Sequence, residues 1–433
     1  MTPDITRTLR LENLSRVEGE GGISLCLEGG QVKDVQLNIF EPPRFFEAFL
    51  QGRHIQEVPD IVARICGICP VAYQMSSVHA LENGLGIVAD PAVRALRRLL
   101  YCAEWIESHA LHIYLLHAPD FLGYESAVSM AEKYGAEVKR GLRLKKIGNH
   151  LLELLGGRAI HPVSVCLGGF YKVPRREDLL KLRPDMVWAI KAALETVNWV
   201  SGFRFPDITP DYEFVCLSHP DEYAMNEGAV VSSRGLNLPP SQYEHAFLEE
   251  HVKRSTALHS VRAQAGTSYF VGPLARLNLN HDKLFPQAKQ AWMAAGITLP
   301  VRNPFLGALA RAVELVHACE EALAIIESYQ EPQRSRVDFT IRKGEGCAAT
   351  EAPRGILFHR YRFSEQGLVE FAKIVPPTSQ NLRRMEDDLR LLVPSLIQRP
   401  DEEIIRACEH LVRNYDPCIS CSTHFTKVRI RRS

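Results

Sequence analysis

Two Cys-x-x-Cys pairs stand near opposite ends of the chain. The first lies in Arg64-Ile65-Cys66-Gly67-Ile68-Cys69-Pro70. The second lies in Asp416-Pro417-Cys418-Ile419-Ser420-Cys421-Ser422-Thr423-His424. Residues i and i+3 share one face of a helical turn, so each pair can aim two thiolates at one ion. Four thiolates from two pairs make a soft, sulfur-only site. Bare Cys-x-x-Cys is also found as a redox disulfide or as half of a structural zinc site. Zinc ribbons keep their pairs within a few tens of residues, whereas here the whole fold would have to assemble the site.

The composition narrows what such a site could serve. Of 433 residues, 46% are hydrophobic and 24% charged, the profile of a soluble globular protein. Lys plus Arg and Asp plus Glu number 51 each, so there is no global electrostatic footprint for nucleic acid or an anionic membrane. The basic stretch Lys427 to Arg432 is short. No run of about twenty apolar residues predicts a spanning helix. Met1 to Arg7 has no apolar signal segment, which places the expected compartment in the cytoplasm. In that setting eleven cysteines favour free thiols and metal ligands over a disulfide framework. Cys26, Cys102, Cys166, Cys216, Cys319, Cys347 and Cys408 read as small buried hydrophobes.

The elements that would position the cysteines can be read in order. Thr8–Leu11, Ile23–Leu27 and Val32–Phe40 alternate as strands, with Gly29-Gly30 as a turn. Arg16-Val17-Glu18-Gly19 reads locally as a charged hairpin turn. Residues 44–57 look helical, with Phe45, Phe46, Phe49 and Leu50 on one side and Glu47 on the same segment. A helix begins near Cys69 and runs through Leu85. Asp90-Pro91 then opens a longer one, to about His117, because Asp caps and Pro suits the first helical position. Its His109, His112 and His117 read as hydrogen-bonded histidines, not as a ligand set. Further helices are expected over about 127–155, ended by Gly156-Gly157, then over 176–201, 304–329, 380–393 and 400–413. Residues 203–245 read as an irregular or β excursion, Val271–Arg276 as a turn, and Val337–Ile341 as a strand. The expected fold is mainly α with small peripheral β-sheets (α+β), a long-helix core in one domain over residues 1–433.

At this point several motifs agree. Over essentially its full length the chain resembles the large, catalytic subunit of the nickel–iron hydrogenases. Arg64–Cys69 matches that family's Arg-x-Cys-Gly-x-Cys motif, and Asp416–His424 its Asp-Pro-Cys-x-x-Cys-x-x-His motif. Arg16-Val17-Glu18-Gly19 is similar to its Arg-Ile-Glu-Gly turn. Glu351-Ala352-Pro353-Arg354-Gly355 and Val271–Arg276 match further family segments.

The resemblance implies that Cys66, Cys69, Cys418 and Cys421 hold nickel. Cys69 and Cys421 would bridge to an iron that carries carbon monoxide and cyanide supplied by maturation proteins. The implied activity is reversible heterolytic cleavage of H2. Cys418 would accept the proton and Glu18 relay it. Pro353 and Arg354 would line the cofactor, and Arg354, aided by Asp416, would act as a polarising cation, since a guanidinium is a poor base. Glu47 and His424 resemble ligands of a magnesium-like site, with iron as the alternative. The nine residues 425–433 are either a propeptide for an endopeptidase or a retained tail.

Two departures bear on the branch. Tyr73 stands where many members carry histidine. Glu107-Ser108-His109 replaces His-Asp-His, so Ser108 removes an acid near the arginine. Both fit the cytoplasmic, multi-subunit, cofactor-coupled branch, and within it the wording of Arg64 to Tyr73 looks most like the bidirectional NAD(P)-linked enzymes called sulfhydrogenases. No other cysteine cluster or Gly-x-Gly-x-x-Gly is present, so an iron–sulfur small subunit, and beyond it an NAD(P)-binding diaphorase, are the expected partners. The rival readings are a nickel-free relative of the quinone-pocket subunit of complex I and a structural zinc protein with four cysteine ligands.

Overall fold

The long helices start and stop where local chemistry requires. In the computed structural model, which describes residues 7–29 and 31–423, helix α1 spans Pro70–Leu85 and α2 spans Pro91–Leu111. Asp90 caps α2 by accepting from Ala92 N at 2.8 Å. The residue before α1, Cys69, offers no side-chain cap. Glu104 of α2 supplies one instead, accepting from Val71 N at 2.7 Å and Ala72 N at 3.2 Å. These are orphan donors of a first helical turn. The two helices are therefore fastened together where the first cysteine loop ends.

Helix α3, Ala127–Gly156, opens with a capping box between Ser126 and Ser129 and stops at Gly157. It lies close against α2 because Gly148 has no side chain; a Cβ there would stand 2.7 Å from Ala103 O. Helices α4 (Arg183–Ser201), α6 (Gly307–Ser328), α7 (Pro377–Leu392) and α8 (Asp401–Asn414) are the other long ones, and the short α5 (Pro273–Asn280) lies between α4 and α6 in the chain. α6 packs on both α2 and α4, and Leu99, Trp105, Leu309, Val313 and Val316 are fully buried between them. Among the described residues no helix is long and apolar enough to cross a membrane.

The sheets are small and antiparallel. β1 (Arg7–Leu11), β2 (Gly21–Glu28) and β3 (Gln31–Ile39) form one, in the order β1-β2-β3. β4 (Gly344–Ala352), β5 (Gly355–Phe363) and β6 (Val369–Val375) form another. β4 pairs with β5 in a register that sets Ala352 opposite Gly355, so Pro353 and Arg354 are the two residues of a tight turn. This sheet packs on α1. The 203–245 excursion contains strands Val215–Ser218, Ala229–Ser232 and Asn237–Leu238. The mainly helical architecture is the one expected.

Several local readings differ. The helix at 44–57 shrinks to Phe46–Leu50, preceded by Phe45 in the left-handed region. Phe45 and Phe49 are exposed, and the inward residues are Glu47 and Leu50, which lie three apart on one face. Residues 176–201 split into Arg176–Leu180 and α4, with Pro184 in the first turn of α4. Val271–Arg276 turns at Gly272 and then continues into α5. Val337–Ile341 is not a strand. Its alternating Phe339 and Ile341 pack on the core, but pairing with β5 is taken by β4. Cys102, Cys166, Cys216, Cys319 and Cys408 are buried free thiols, whereas Cys26 and Cys347 are only half-buried. His424 and the tail 425–433 lie outside the described residues.

Candidate metal centre

The four motif cysteines meet. Their sulfurs all lie within 4.8 Å of one another, and all four residues are buried. They do not meet as two helical turns. Cys66 is extended, with φ −140° and ψ 139°, and Cys69 sits just before α1, because Pro70 begins the helix. The second pair does form a turn, with Cys421 N donating to Cys418 O at 3.2 Å and a 3₁₀ turn over Ser420–Ser422.

Electrostatics distinguishes the thiols. Cys66 Sγ accepts from the backbone N–H of Ile68 and of Cys69, each at 3.3 Å, and lies 3.5 Å from Cys418 Sγ. Hydrogen bonding from Cys418, then Cys421 and Cys69, pulls the Cys66 thiol well below its ordinary pKa. Burial and the neighbouring thiols push Cys418 well above it; burial leads the smaller rise at Cys421. At Cys69 a bond from Cys418 pulls down, but Cys421, Cys66 and burial outweigh it.

The Arg16–Gly19 turn is part of this cage, not a free hairpin. Ile419 N donates to Glu18 O at 2.9 Å, making Glu18 and Cys418 partners in a parallel bridge. Cys418 Sγ donates to Glu18 Oε2 at 2.9 Å, and Ser420 N donates to the same oxygen at 3.2 Å. Cys418 is 1% exposed, while Glu18 is half-buried. The carboxylate therefore joins a sealed sulfur to the outside. Arg16 holds the turn down by a two-pronged bond to Asp120, at 3.0 and 2.7 Å.

Arg354 faces the thiols from the β4–β5 turn. It is 2% exposed. Its Nε donates to Asp416 O at 2.7 Å and its Nη2 to Asp416 Oδ1 at 3.1 Å. Nη1 of Arg354 and Oδ2 of Asp416 have no hydrogen-bond partner. Burial alone would lower the Arg354 pKa; Asp416 and then the thiols Cys418, Cys69 and Cys66 reverse this and raise it. The cation is thus permanent. Tyr73 is 1% exposed, its hydroxyl makes no hydrogen bond, and burial followed by the Cys421, Cys69 and Cys418 charges pushes its pKa well up. Ser108 Oγ is equally buried and unbonded. The donor set fits a soft metal pair: four sulfurs, no carboxylate or imidazole among them, water excluded, and unbonded polar atoms ranged around. His109 and His112 instead bond Glu314 Oε2 at 2.9 Å and Arg413 O at 2.8 Å.

The family model for nickel-dependent hydrogenases matches residues 44–146 and 264–424. The chain belongs to this family. Sulfhydrogenase 1 subunit alpha of Pyrococcus furiosus is 35% identical over 424 residues, covering 97% of this chain and 98% of the relative. Sulfhydrogenase 2 subunit alpha of the same organism is 36% identical, covering 97% and 100%. Among solved structures, an NAD+-reducing nickel–iron hydrogenase in the H2-reduced state matches with TM-score 0.88 at 26% identity, over 97% of this chain and 100% of that one. This hydrogenase large subunit is therefore an oxidoreductase chain, and nickel is the metal that its family makes the four sulfurs' partner.

Around the hydrogenase centre the structure adds residues that the sequence did not single out. Arg44 is a clasp between the two cysteine loops. Its Nη2 donates to Ile65 O at 2.8 Å and to Ser420 O, the carbonyls just ahead of Cys66 and Cys421. Thr378 Oγ1 accepts from Cys418 N at 3.0 Å. The only sequence signals were a Pro-Pro-Arg ahead of Glu47 and a Pro-Pro-Thr at the start of α7. Glu47 is buried away from the cage and accepts from Ile374 N at 2.8 Å. Its expected companion His424 is not described, although Arg44 N donates to Thr423 O at 2.8 Å, which brings residue 423 beside the segment carrying Glu47.

Proposed function

We propose that the chain is the catalytic subunit of a nickel–iron hydrogenase that cleaves and forms H2 reversibly and passes electrons through an iron–sulfur partner, and on to NAD(P) through a diaphorase. The observation that carries this reading is the sealed four-sulfur cage with a carboxylate hydrogen-bonded to one sulfur and an arginine facing the others. Cys66, Cys69, Cys418 and Cys421 would hold nickel. Cys69 and Cys421 would be shared with an iron bearing carbon monoxide and cyanide, delivered by maturation proteins. Bound, these metals would supply the two-electron chemistry of H2.

The remaining tasks belong to side chains. Cys418 Sγ holds the proton, shut off from water at 1% exposure. Glu18 Oε2, 2.9 Å away, receives it. Beyond Glu18, Ser420 Oγ donates to Glu41 Oε2 at 2.8 Å, which offers a further acceptor toward the surface. Arg354 keeps a fixed positive charge over the cage, with Nη1 free to bind a polar ligand there. Pro353 shapes the turn that presents it.

Partner docking is supported at the first cysteine loop. Gly67, between Cys66 and Cys69, is exposed, and Ile160 beside it is 57% exposed. An electron acceptor seated there would adjoin the loop that carries Cys66 and Cys69. The cytoplasmic placement rests on likeness to the NAD+-reducing enzyme. Glu47 with His424 remains our proposed magnesium-type site, and residues 425–433 a propeptide or retained tail within a chain that forms one domain.

Metal analysis with infrared spectroscopy of matured, partner-bound protein tests the reading. Nickel and iron together with carbon monoxide and cyanide bands are expected. Zinc alone would establish the structural four-cysteine zinc alternative, and a metal-free active complex the quinone-pocket one.

A further inference from the structure

The Val271–Arg276 segment has no part in the chemistry above, yet it wraps the turn that carries Arg354. Gly272 has φ +116°, and a Cβ there would lie 2.8 Å from Arg354 O. On the other side of the turn, Val271 Cγ2 lies 2.7 Å from where a Cβ of Gly355 would be. Gly272 N would lie 2.9 Å from that same Cβ, so the two backbones approach each other at both glycines, which L side chains would prevent. Val271 is itself anchored: its N–H donates to Asn381 Oδ1 and its carbonyl accepts from Asn381 Nδ2, both at 3.0 Å.

Arg276 closes the cradle. It is fully buried. Its Nη1 donates to Ala352 O at 3.0 Å and its Nη2 to Pro353 O at 2.9 Å. These are the two carbonyls immediately before Arg354. The same guanidinium bonds Glu314 through Nε and Nη2, both at 2.7 Å, and Glu351 Oε2 at 2.8 Å. Its Cζ lies 4.3 Å from the centre of the Trp105 ring. Neutralising two glutamates would not require the turn carbonyls. A planar fork with five donors can do both at once, whereas a lysine ammonium cannot.

We propose that Arg276, with Gly272, is a positioning residue that fixes the Pro353–Arg354 turn so that the Arg354 guanidinium reaches Asp416 and the cysteine cage. The inference rests on the reading of Arg354 as the site's polarising cation. It differs from a purely structural role in one respect: the effect of Arg276 runs through Arg354.

A double-variant cycle in the matured, partner-bound enzyme separates the two. Arg276→Lys keeps a positive charge for Glu314 and Glu351 but loses the fork. Gly272→Ala leaves that charge network whole and pushes on Arg354 O, so it serves where the lysine variant fails to assemble. Each is made alone and together with Arg354→Lys. H2 exchange with D2O per bound nickel and the infrared cyanide bands are read in every case. Displacing a positioned group costs up to about a hundredfold in rate, so we expect a loss of about tenfold or more on the native background. On the Arg354→Lys background the further loss should be under about twofold, as coupled sites require. Cyanide bands should move with either single variant and not move further in the doubles. Losses that simply multiply, with bands that stay put in the single variants, would overturn the positioning role. An Arg354→Lys enzyme with native exchange would instead overturn the reading of Arg354, and this inference with it.

Discussion

Replacing Glu18 by glutamine isolates the proposed proton exit. The amide has the same shape, and its oxygen can still accept from Ser420 N, as Glu18 Oε2 does at 3.2 Å. Ile419 N donates to the Glu18 backbone carbonyl, which the substitution leaves alone. Because Glu18 is only half-buried, the loop should hold, with stability changed by less than about 1 kcal/mol. What is lost is the acid. Among the described residues Glu18 supplies the carboxylate bonded to Cys418 Sγ, at 2.9 Å, and Cys418 is 1% exposed, so bulk water cannot stand in. Positioned acid–base transfer contributes roughly 10²–10⁴ in rate, or about 3–5 kcal/mol of barrier. Two assays on the metal-replete complex separate cleavage from exit. Exchange of H2 with D2O needs the proton to leave, and should fall by about two orders of magnitude or more. Interconversion of para- and ortho-H2 needs only cleavage and recombination inside the cage, and should persist. Solvent exchange kept within about threefold of the native rate would refute the relay. A parallel fall in both assays would show that Glu18 acts on cleavage or metal retention.

The clasp and the buried charges give further expectations. Arg44→Met removes the donor shared by Ile65 O and Ser420 O; leaving buried carbonyls unpaired costs about 1–3 kcal/mol each, so nickel per chain and Tm should both drop, and a fully loaded variant would contradict the clasp. Gly148→Ala should destabilise by up to about 2 kcal/mol in chemical unfolding, the crowding cost of about 1–3 kcal/mol less a helix-propensity gain of about 1 kcal/mol; the new Cβ would meet Ala103 O and Glu107 N, backbone that cannot swing aside. For pH, burial holds His79 and His410 down at about 4 and His259 at about 3, below the ordinary 6.5. A depressed folded pKa gives stability that is whole above the unfolded pKa and lost as pH falls. Tm should therefore decline from pH 6.5 toward 4 and below; a flat profile over that window would show that these rings are not held neutral.

How much of this was legible follows from what each residue depends on. The cysteine pairs, Glu18, Arg354 and Asp416 carry their chemistry in their side-chain type and in short motifs, and the structure brings them together. The start of α2 was legible because Asp90 and Pro91 mark it, and the end of α3 because Gly157 stops it. β4 was not, since Gly344-Glu345-Gly346-Cys347-Ala348-Ala349 has little strand propensity; its small residues let it lie against α1, where a Cβ on Gly346 would stand 2.1 Å from Ala80 O. Arg44 and Thr378 act by bonding backbone carbonyls and amides of distant loops, and no local pattern records such partners. The phenylalanines at 45–49 suggested a buried face, yet the buried side of that turn carries Glu47 because Phe45 enters it with a left-handed backbone.

The bond between Cys418 and Glu18 spans 400 positions of sequence, and the contact between Cys66 and Cys418 spans 352. During synthesis, at about 5–20 residues per second, the first cysteine pair emerges roughly 20–70 s before the second. Throughout that interval Cys66 and Cys69 are half a ligand set on an incomplete chain. A thiol in water meets oxidants and ions that the sealed cage shuts out, so this is when the pair is open to oxidation or to the wrong ion. The centre cannot be filled as the chain grows. Its last wall is made 352 positions after its first, and that puts metal insertion after the chain has delivered both loops.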